Sequence, residues 1–262
     1  LIHCKFNQST EQFQKRMTEF LFVTDLDNTF VGDDQAMLQL SQRLEQHRQE
    51  YGTKIVYSTG RSPTLYNALA RAKNLLEPDL LVLSVGTEIY LADSDAPNQD
   101  WSAVLAENWD RDLVIALGAH FADLAPQPNS EQRPFKVSYF LTEDAAIEVL
   151  PQFEALLKQR GLDIQLVYSG GKDLDVLPRK ANKGMALTFL RDCLGISSEQ
   201  TVACGDSGND LSMFVDREER GIIVGNAMPE LLNWHRANPS PNRYLAQAPC
   251  AGGILEGLEY FG

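Results

Sequence analysis

A parallel α/β sheet wound by helices and interrupted once by a smaller α+β insert is the fold this sequence predicts, on three observations. Short apolar runs alternate with amphipathic stretches from Phe20 onward, as strands and helices do in a wound sheet. Three of those runs end in small or polar turns, Asp25-Leu26-Asp27, Thr59-Gly60-Arg61 and Gly86-Thr87-Glu88. The rhythm then breaks at residues 92–100 and resumes after Gly170-Gly171, so one sheet is split by an insertion.

Phe20 to Val23 are bulky enough for a strand buried on both faces, and the carboxylates of Asp25 and Asp27 belong at its carboxyl end. Met37, Leu40 and Leu44 recur at helical spacing within 35–50, and Gly52 closes that helix. Lys54–Ser58 reads as a second strand, about Thr64–Asn74 as a helix, and Leu80–Val85 as a third strand. Beyond the polar stretch Ala92–Asp100 come one long helical pattern over Ala103–Leu124, a Pro-rich loop Pro126–Pro134 and a strand Lys136–Leu141. Val137, Tyr139 and Leu141 alternate there with Ser138 and Phe140, which suits an antiparallel sheet with unequal faces. A helix at about Asp144–Gln159 and a strand Asp163–Ser169 complete the insert. Core elements resume with a helix over Lys183–Cys193, a strand Thr201–Cys204, a helix Leu211–Val215 and a strand Gly221–Val224. Arg236–Pro249, with three prolines, reads as irregular surface. The expected organisation is a core of residues 17–99 and 178–262 with an inserted unit at 100–177. Residues 1–16 are polar, precede Met17, and are expected to be a disordered leader or tail.

Composition excludes several classes. With 23 Lys and Arg against 36 Asp and Glu, the net charge of -13 disfavours nonspecific attraction to nucleic acid or anionic membrane. Apolar runs fall far short of the ~20 residues that span a bilayer, so a soluble, cytoplasmic protein is expected. Cys4, Cys193, Cys204 and Cys250 show no paired spacing and are expected to be reduced and structural. The four histidines show no metal-ligand spacing either.

Four separated features should converge at the carboxyl edge of the sheet: Asp25 with Asp27, Thr59, Lys183, and Asp206 with Asp210. Singly each has an ordinary explanation. A Thr before Gly caps helices, a Lys in a first helical turn is commonplace, and Asp206 and Asp210 lie in a glycine-rich turn. Asp25 and Asp27 held close together repel, which calls for a shared proton or a bound cation.

In their order these residues resemble the haloacid dehalogenase superfamily of phosphotransferases. Asp25-Leu26-Asp27-Asn28-Thr29 is similar to its first motif, Thr59 to its second, Lys183 to its third and Gly205-Asp206-Ser207-Gly208-Asn209-Asp210 to its fourth. The likeness covers about Met17 to Gly262, with the insert where that superfamily carries a type-two cap. Thr59-Gly60-Arg61-Ser62, Gly86-Thr87-Glu88-Ile89-Tyr90, Gly171-Lys172-Asp173-Leu174-Asp175 and Asn182-Lys183-Gly184 resemble signatures of its sucrose-phosphate phosphatase family. The resemblance implies a Rossmann-like, haloacid dehalogenase-like core with an α+β cap, and hydrolysis of sucrose 6-phosphate to sucrose. It further implies Asp25 as nucleophile, Asp27 as acid and base, and Mg²⁺ held by the Asp25 carboxylate, the Asp27 carbonyl and Asp206. Thr59, Gly60 and Lys183 would then hold the phosphoryl oxygens, and Asn209 and Asp210 would orient Lys183 or a metal-bound water.

Residues 100–177 carry six Lys and Arg against thirteen Asp and Glu, a poor receptor for a second phosphate. Glu88, Lys172 and Asp173 are the expected sugar contacts, ahead of Trp101. The rival expectations are a phosphatase or phosphomutase for a glucosylglycerol or mannosyl phosphate, and a non-catalytic module partnering a sucrose-phosphate synthase.

Overall fold

The computed structural model describes residues 20–91 and 94–262; the leader expected at 1–16 lies outside them. The chain forms two compact units. One runs up to Asn98 and resumes over Asn182–Gly262, and the other is Gln99–Ala181.

In the first unit, strand β1 (Leu21–Thr24) is buried along its length. Helix α1 (Asp34–Tyr51) starts where the Asp33 carboxylate accepts from the Gln35 and Ala36 amides and stops at Gly52, whose φ of 81° frees its amide for the Arg48 carbonyl. Its apolar stripe of Met37, Leu40 and Leu44 is buried. Strand β2 (Lys54–Ser58), helix α2 (Pro63–Lys73) and strand β3 (Leu80–Leu83) follow. Strand β4 (Glu88–Leu91), absent from the sequence-based expectation, returns antiparallel to β3. Four residues opening on a glutamate offer too little alternation to read as a strand.

The Gln99–Ala181 unit is a four-stranded antiparallel sheet with three helices. Helices α3 (Gln99–Ala106) and α4 (Arg111–Gly118) replace the single long helix expected over Ala103–Leu124. Asn108 turns left-handed at φ 56° and the Asp110 carboxylate caps the Leu113 amide, which restarts the helix. Strands β5 (Ala125–Pro126) and β6 (Val137–Phe140), helix α5 (Glu143–Gln159), and strands β7 (Ile164–Ser169) and β8 (Asp173–Pro178) complete it, in sheet order β5-β6-β8-β7. Val137 and Tyr139 enter the core with Phe153 and Leu157, while Phe140 is exposed. The return crossing falls at Ala181–Asn182 rather than at 177–178. Gln165 Nε2 bonds the carbonyls of Pro178, Arg179 and Ala181, which keeps those residues in the insert.

Back in the first unit come helix α6 (Lys183–Leu194), strand β9 (Thr201–Gly205), strand β10 (Arg220–Ile223), helix α7 (Pro229–Ala237), strand β11 (Arg243–Leu245) and helix α8 (Cys250–Phe261). A short 3-10 turn over Gly208–Met213 stands where a helix was expected at Leu211–Val215. The stretch 236–249 is not wholly irregular: β11 pairs with β10 and closes one edge of the sheet. The seven-stranded order is β11-β10-β9-β1-β2-β3-β4, parallel except at β4.

Strand β1 therefore lies centrally between β2 and β9. Thr24 is level with Tyr57 on one side and Cys204 on the other. Asp25, Thr59 and Asp206, one or two residues further along each strand, consequently share one sheet edge.

One detail corrects the sequence reading. Cys204 and Cys250 are free and buried, but Cys193 is disulfide-bonded. Trp101, ranked behind the other sugar contacts, is buried. Among the described residues, no helix is long and apolar enough to cross a membrane.

Candidate active site

Three of the expected residues meet around one lysine. Lys183, fully buried, opens α6 directly after Asn182, whose side chain caps the helix by accepting from the Met185 amide. Its Nζ donates to Asp25 Oδ1 at 2.5 Å and to Asp210 Oδ1 at 2.6 Å. Asp210 is fixed in turn, since its Oδ2 accepts from the backbone amides of Asp206 and Ser207 at 3.0 and 3.1 Å. Asp206 Oδ1 accepts from the Thr29 hydroxyl at 2.9 Å. One ligand oxygen each from Asp25, Asp206 and Asp210 lies within 4.8 Å of the others, all three residues being buried.

Close backbone packing makes this convergence possible. A Cβ on Gly184 would stand 1.8 Å from the Ser212 carbonyl oxygen, so only glycine lets the first turn of α6 touch the 208–213 turn and bring Lys183 between its two carboxylates. Gly184→Ala is expected to lower stability by about 1–3 kcal/mol through overpacking. Thermal unfolding of the purified variant measures the loss. A variant matching the parent would show that the backbone contact carries no weight.

The electrostatics are those of an unbalanced cluster. Burial, then the nearby charges of Asp210 and Asp206, outweigh Lys183 and push the Asp25 carboxyl up to about 7. Burial and Asp210 likewise raise Asp206 to about 6. Burial alone would lower Lys183, but Asp210 and Asp25 overcome it and hold the ammonium above its ordinary value. Three carboxylates facing one lysine leave an excess of negative charge that a divalent cation would balance, and the donors are hard oxygens. The residues present thus fit a metal ion.

The other expected residues are placed as follows. Thr59 is buried, and its Oγ1 accepts from the Arg61 amide at 3.2 Å, which leaves the hydroxyl hydrogen to donate. Beside it the chain turns left-handed through Ser84 (φ 52°), Val85 (φ 62°) and Gly86 (φ 90°). A β-branched residue in that conformation costs about 1–3 kcal/mol and such strain gathers at functional sites. The strained loop is tied back by Ser84 N to the Arg61 carbonyl (2.9 Å) and Val85 N to the Thr59 carbonyl (3.2 Å), and so braces the Thr59–Arg61 turn. Asp27 stands outside the carboxylate cluster; a half-exposed carboxylate, it is gripped by Arg61 at 2.7 and 2.8 Å. Asn209 is exposed, accepting from the Ser207 hydroxyl. Glu88 is buried, taking the Tyr90 hydroxyl at 2.6 Å. In the other unit Lys172 is exposed and Asp173 accepts from Gln127. Sequence reasoning assigned no role to Thr29 or Arg61. Both sat in quoted motifs, but their partners lie 177 and 34 residues away in sequence.

A family description, sucrose-6F-phosphate phosphohydrolase, matches residues 18–262. The chain belongs to this family. It is 40% identical to Sucrose-phosphatase 1 of Nicotiana tabacum over 92% of its own length, but spans only 59% of that relative. A mannosylfructose-phosphate phosphatase of Agrobacterium fabrum is 33% identical, with 92% of this chain and 96% of that protein covered. Among solved structures, the sucrose-phosphatase from Synechocystis sp. PCC6803, determined with sucrose and phosphate, superposes with a TM-score of 0.83 at 40% identity, covering 94% of this chain and 98% of that one. The fold is haloacid dehalogenase-like, as the motifs imply.

Proposed function

We propose that this family member hydrolyses sucrose 6-phosphate to sucrose and phosphate through an aspartyl phosphate on Asp25. The observation that carries the reading is the buried contact of Lys183 with both Asp25 and Asp210. Lys183 occupies Oδ1 of Asp25 and leaves Oδ2 to attack phosphorus. As that bond forms, the bond from phosphorus to the sugar oxygen breaks and Asp27 gives the departing oxygen its proton. Asp27 then takes a proton from water, whose oxygen bonds to phosphorus while the Asp25–phosphorus bond breaks. Phosphate leaves and both carboxyl groups return to their starting state. The Thr59 hydroxyl hydrogen, the Gly60 amide and Lys183 hold the phosphoryl oxygens. Mg²⁺ would be held by Asp25, Asp206 and the Asp27 carbonyl, where it supplies positive charge between the Asp25 carboxylate and an anionic substrate.

The Gln99–Ala181 unit is in this reading a cap that carries Lys172 and Asp173 as its readers of sugar hydroxyls; its acidity argues against a bisphosphate and so against a mutase. The same reading takes the enzyme to be cytoplasmic, with a sucrose-phosphate synthase as its protein partner. A second substrate, mannosylfructose phosphate, is favoured by the near full-length match to the Agrobacterium relative. Phosphate release from a panel of sugar phosphates, with Mg²⁺ and with EDTA, decides among these. Sucrose 6-phosphate is expected to be cleaved fastest, and EDTA to take the rate to background. Release that survives EDTA removes the cation from the reading, and no release from any sugar phosphate leaves only a binding module.

A further inference from the structure

We propose that Arg61 is the positioning residue for Asp27, fixing the acid–base carboxylate at the mouth of the site; the inference rests on the role just given to Asp27. The grip is two-pointed: Nε meets Oδ2 at 2.8 Å and Nη2 meets Oδ1 at 2.7 Å. Both carboxylate oxygens are engaged, so the Asp27 side chain is confined to one orientation. Arg61 is itself held at each end of its peptide unit, by its amide on Thr59 Oγ1 and by its carbonyl under the Ser84 amide. The strained loop after β3 thereby sets where the guanidinium stands, and the guanidinium sets where the acid stands. The pair ties the loop after β1 to the loop after β2.

Stability alone does not explain the pair. Side-chain exposure is 30% for Arg61 and 45% for Asp27, and an ion pair that opens to water, even a two-pointed one, adds only modestly to a fold. Orientation does explain it, because a proton donor is useful only within hydrogen-bond reach of the departing oxygen. The proton balance is that of the reaction above: Asp27 loses one proton to the sugar oxygen and regains one from water, and Arg61 exchanges none.

Leaving groups separate a positioning role from a structural one. A sugar alkoxide needs the proton that Asp27 delivers, whereas p-nitrophenolate departs without one. With Mg²⁺ present, Arg61→Gln is expected to lower kcat/KM for sucrose 6-phosphate at least about tenfold more than kcat/KM for p-nitrophenyl phosphate, as befits lost acid catalysis. Arg61→Lys, keeping one contact, should recover part of the loss. In an Asp27→Asn background, Arg61→Gln should add less than about twofold, because two residues acting as one unit are not additive. Equal losses on both substrates, or a full additional loss in the Asp27→Asn background, would assign Arg61 to the phosphate or to the fold and overturn the inference. A parent protein inactive on both substrates would instead end the reading of the site and take Arg61 with it.

Discussion

Asp25→Asn is expected to abolish turnover, by ~10⁴-fold or more, as removal of a covalent nucleophile does. Asparagine keeps the size and the acceptor oxygen facing Lys183 but cannot form the aspartyl phosphate proposed above. The fold should survive, and the metal-free protein should gain stability. Asp25 lies at about 7 in the folded chain against 3.8 in the unfolded one. Across that window the folded protein keeps a proton that the unfolded chain has released, so stability falls as pH rises. The penalty is absent below pH 3.8 and complete above about 7. Asparagine removes it, so above pH 7 without metal the variant should melt no lower than the parent. Phosphate-release assays and thermal unfolding in EDTA measure the two halves. Near-normal turnover would remove Asp25 as nucleophile, and a sharply lowered melting point would show that its carboxylate is needed for folding.

Lys183→Met should damage stability and chemistry together. The ammonium is the charge that Asp25 and Asp210 share at 2.5 and 2.6 Å, and nothing of it reaches solvent. Taking one partner from a buried ion pair costs about 3–5 kcal/mol, which for a chain of this size lowers the melting point by on the order of 10 °C. Turnover should fall by about 10²–10³ through lost stabilisation of phosphoryl charge. Added Mg²⁺ should restore part of the melting point, because the surviving carboxylates repel one another, but should not restore turnover. Calorimetry with and without the ion tests this. A melting point equal to the parent's would mean that Lys183 is not what holds the acids together.

How far the sequence displayed this site depends on which distances are local. Asp25, Thr59, Lys183 and Asp206 each follow a legible strand or open a legible helix, and a parallel sheet collects such positions at one edge. What stayed hidden was made by tertiary context. Arg61 is an unremarkable turn residue until β1 and β2 lie side by side and present it to Asp27. Strand β8 begins with two aspartates in three residues and ends in Pro178, and it reads as loop until β6 and β7 flank it. Helix α8 holds three glycines, a composition that argues against a helix. Yet a Cβ on Gly257 would stand 2.7 Å from Ile222, so the small residue is what lets α8 lie on β10.

The pairing of β1 with β9 joins Leu21 to Thr201, two residues that leave the ribosome far apart in time. At translation rates of about 5–20 residues per second, roughly 10–40 s pass between them. Throughout that interval one edge of β1 has no neighbour, while the Gln99–Ala181 stretch already contains every strand of its own sheet. A newborn chain should therefore own a finished antiparallel unit well before β9 can bring Asp206 beside Asp25, and the waiting edge of β1 is where a chaperone would be of most use.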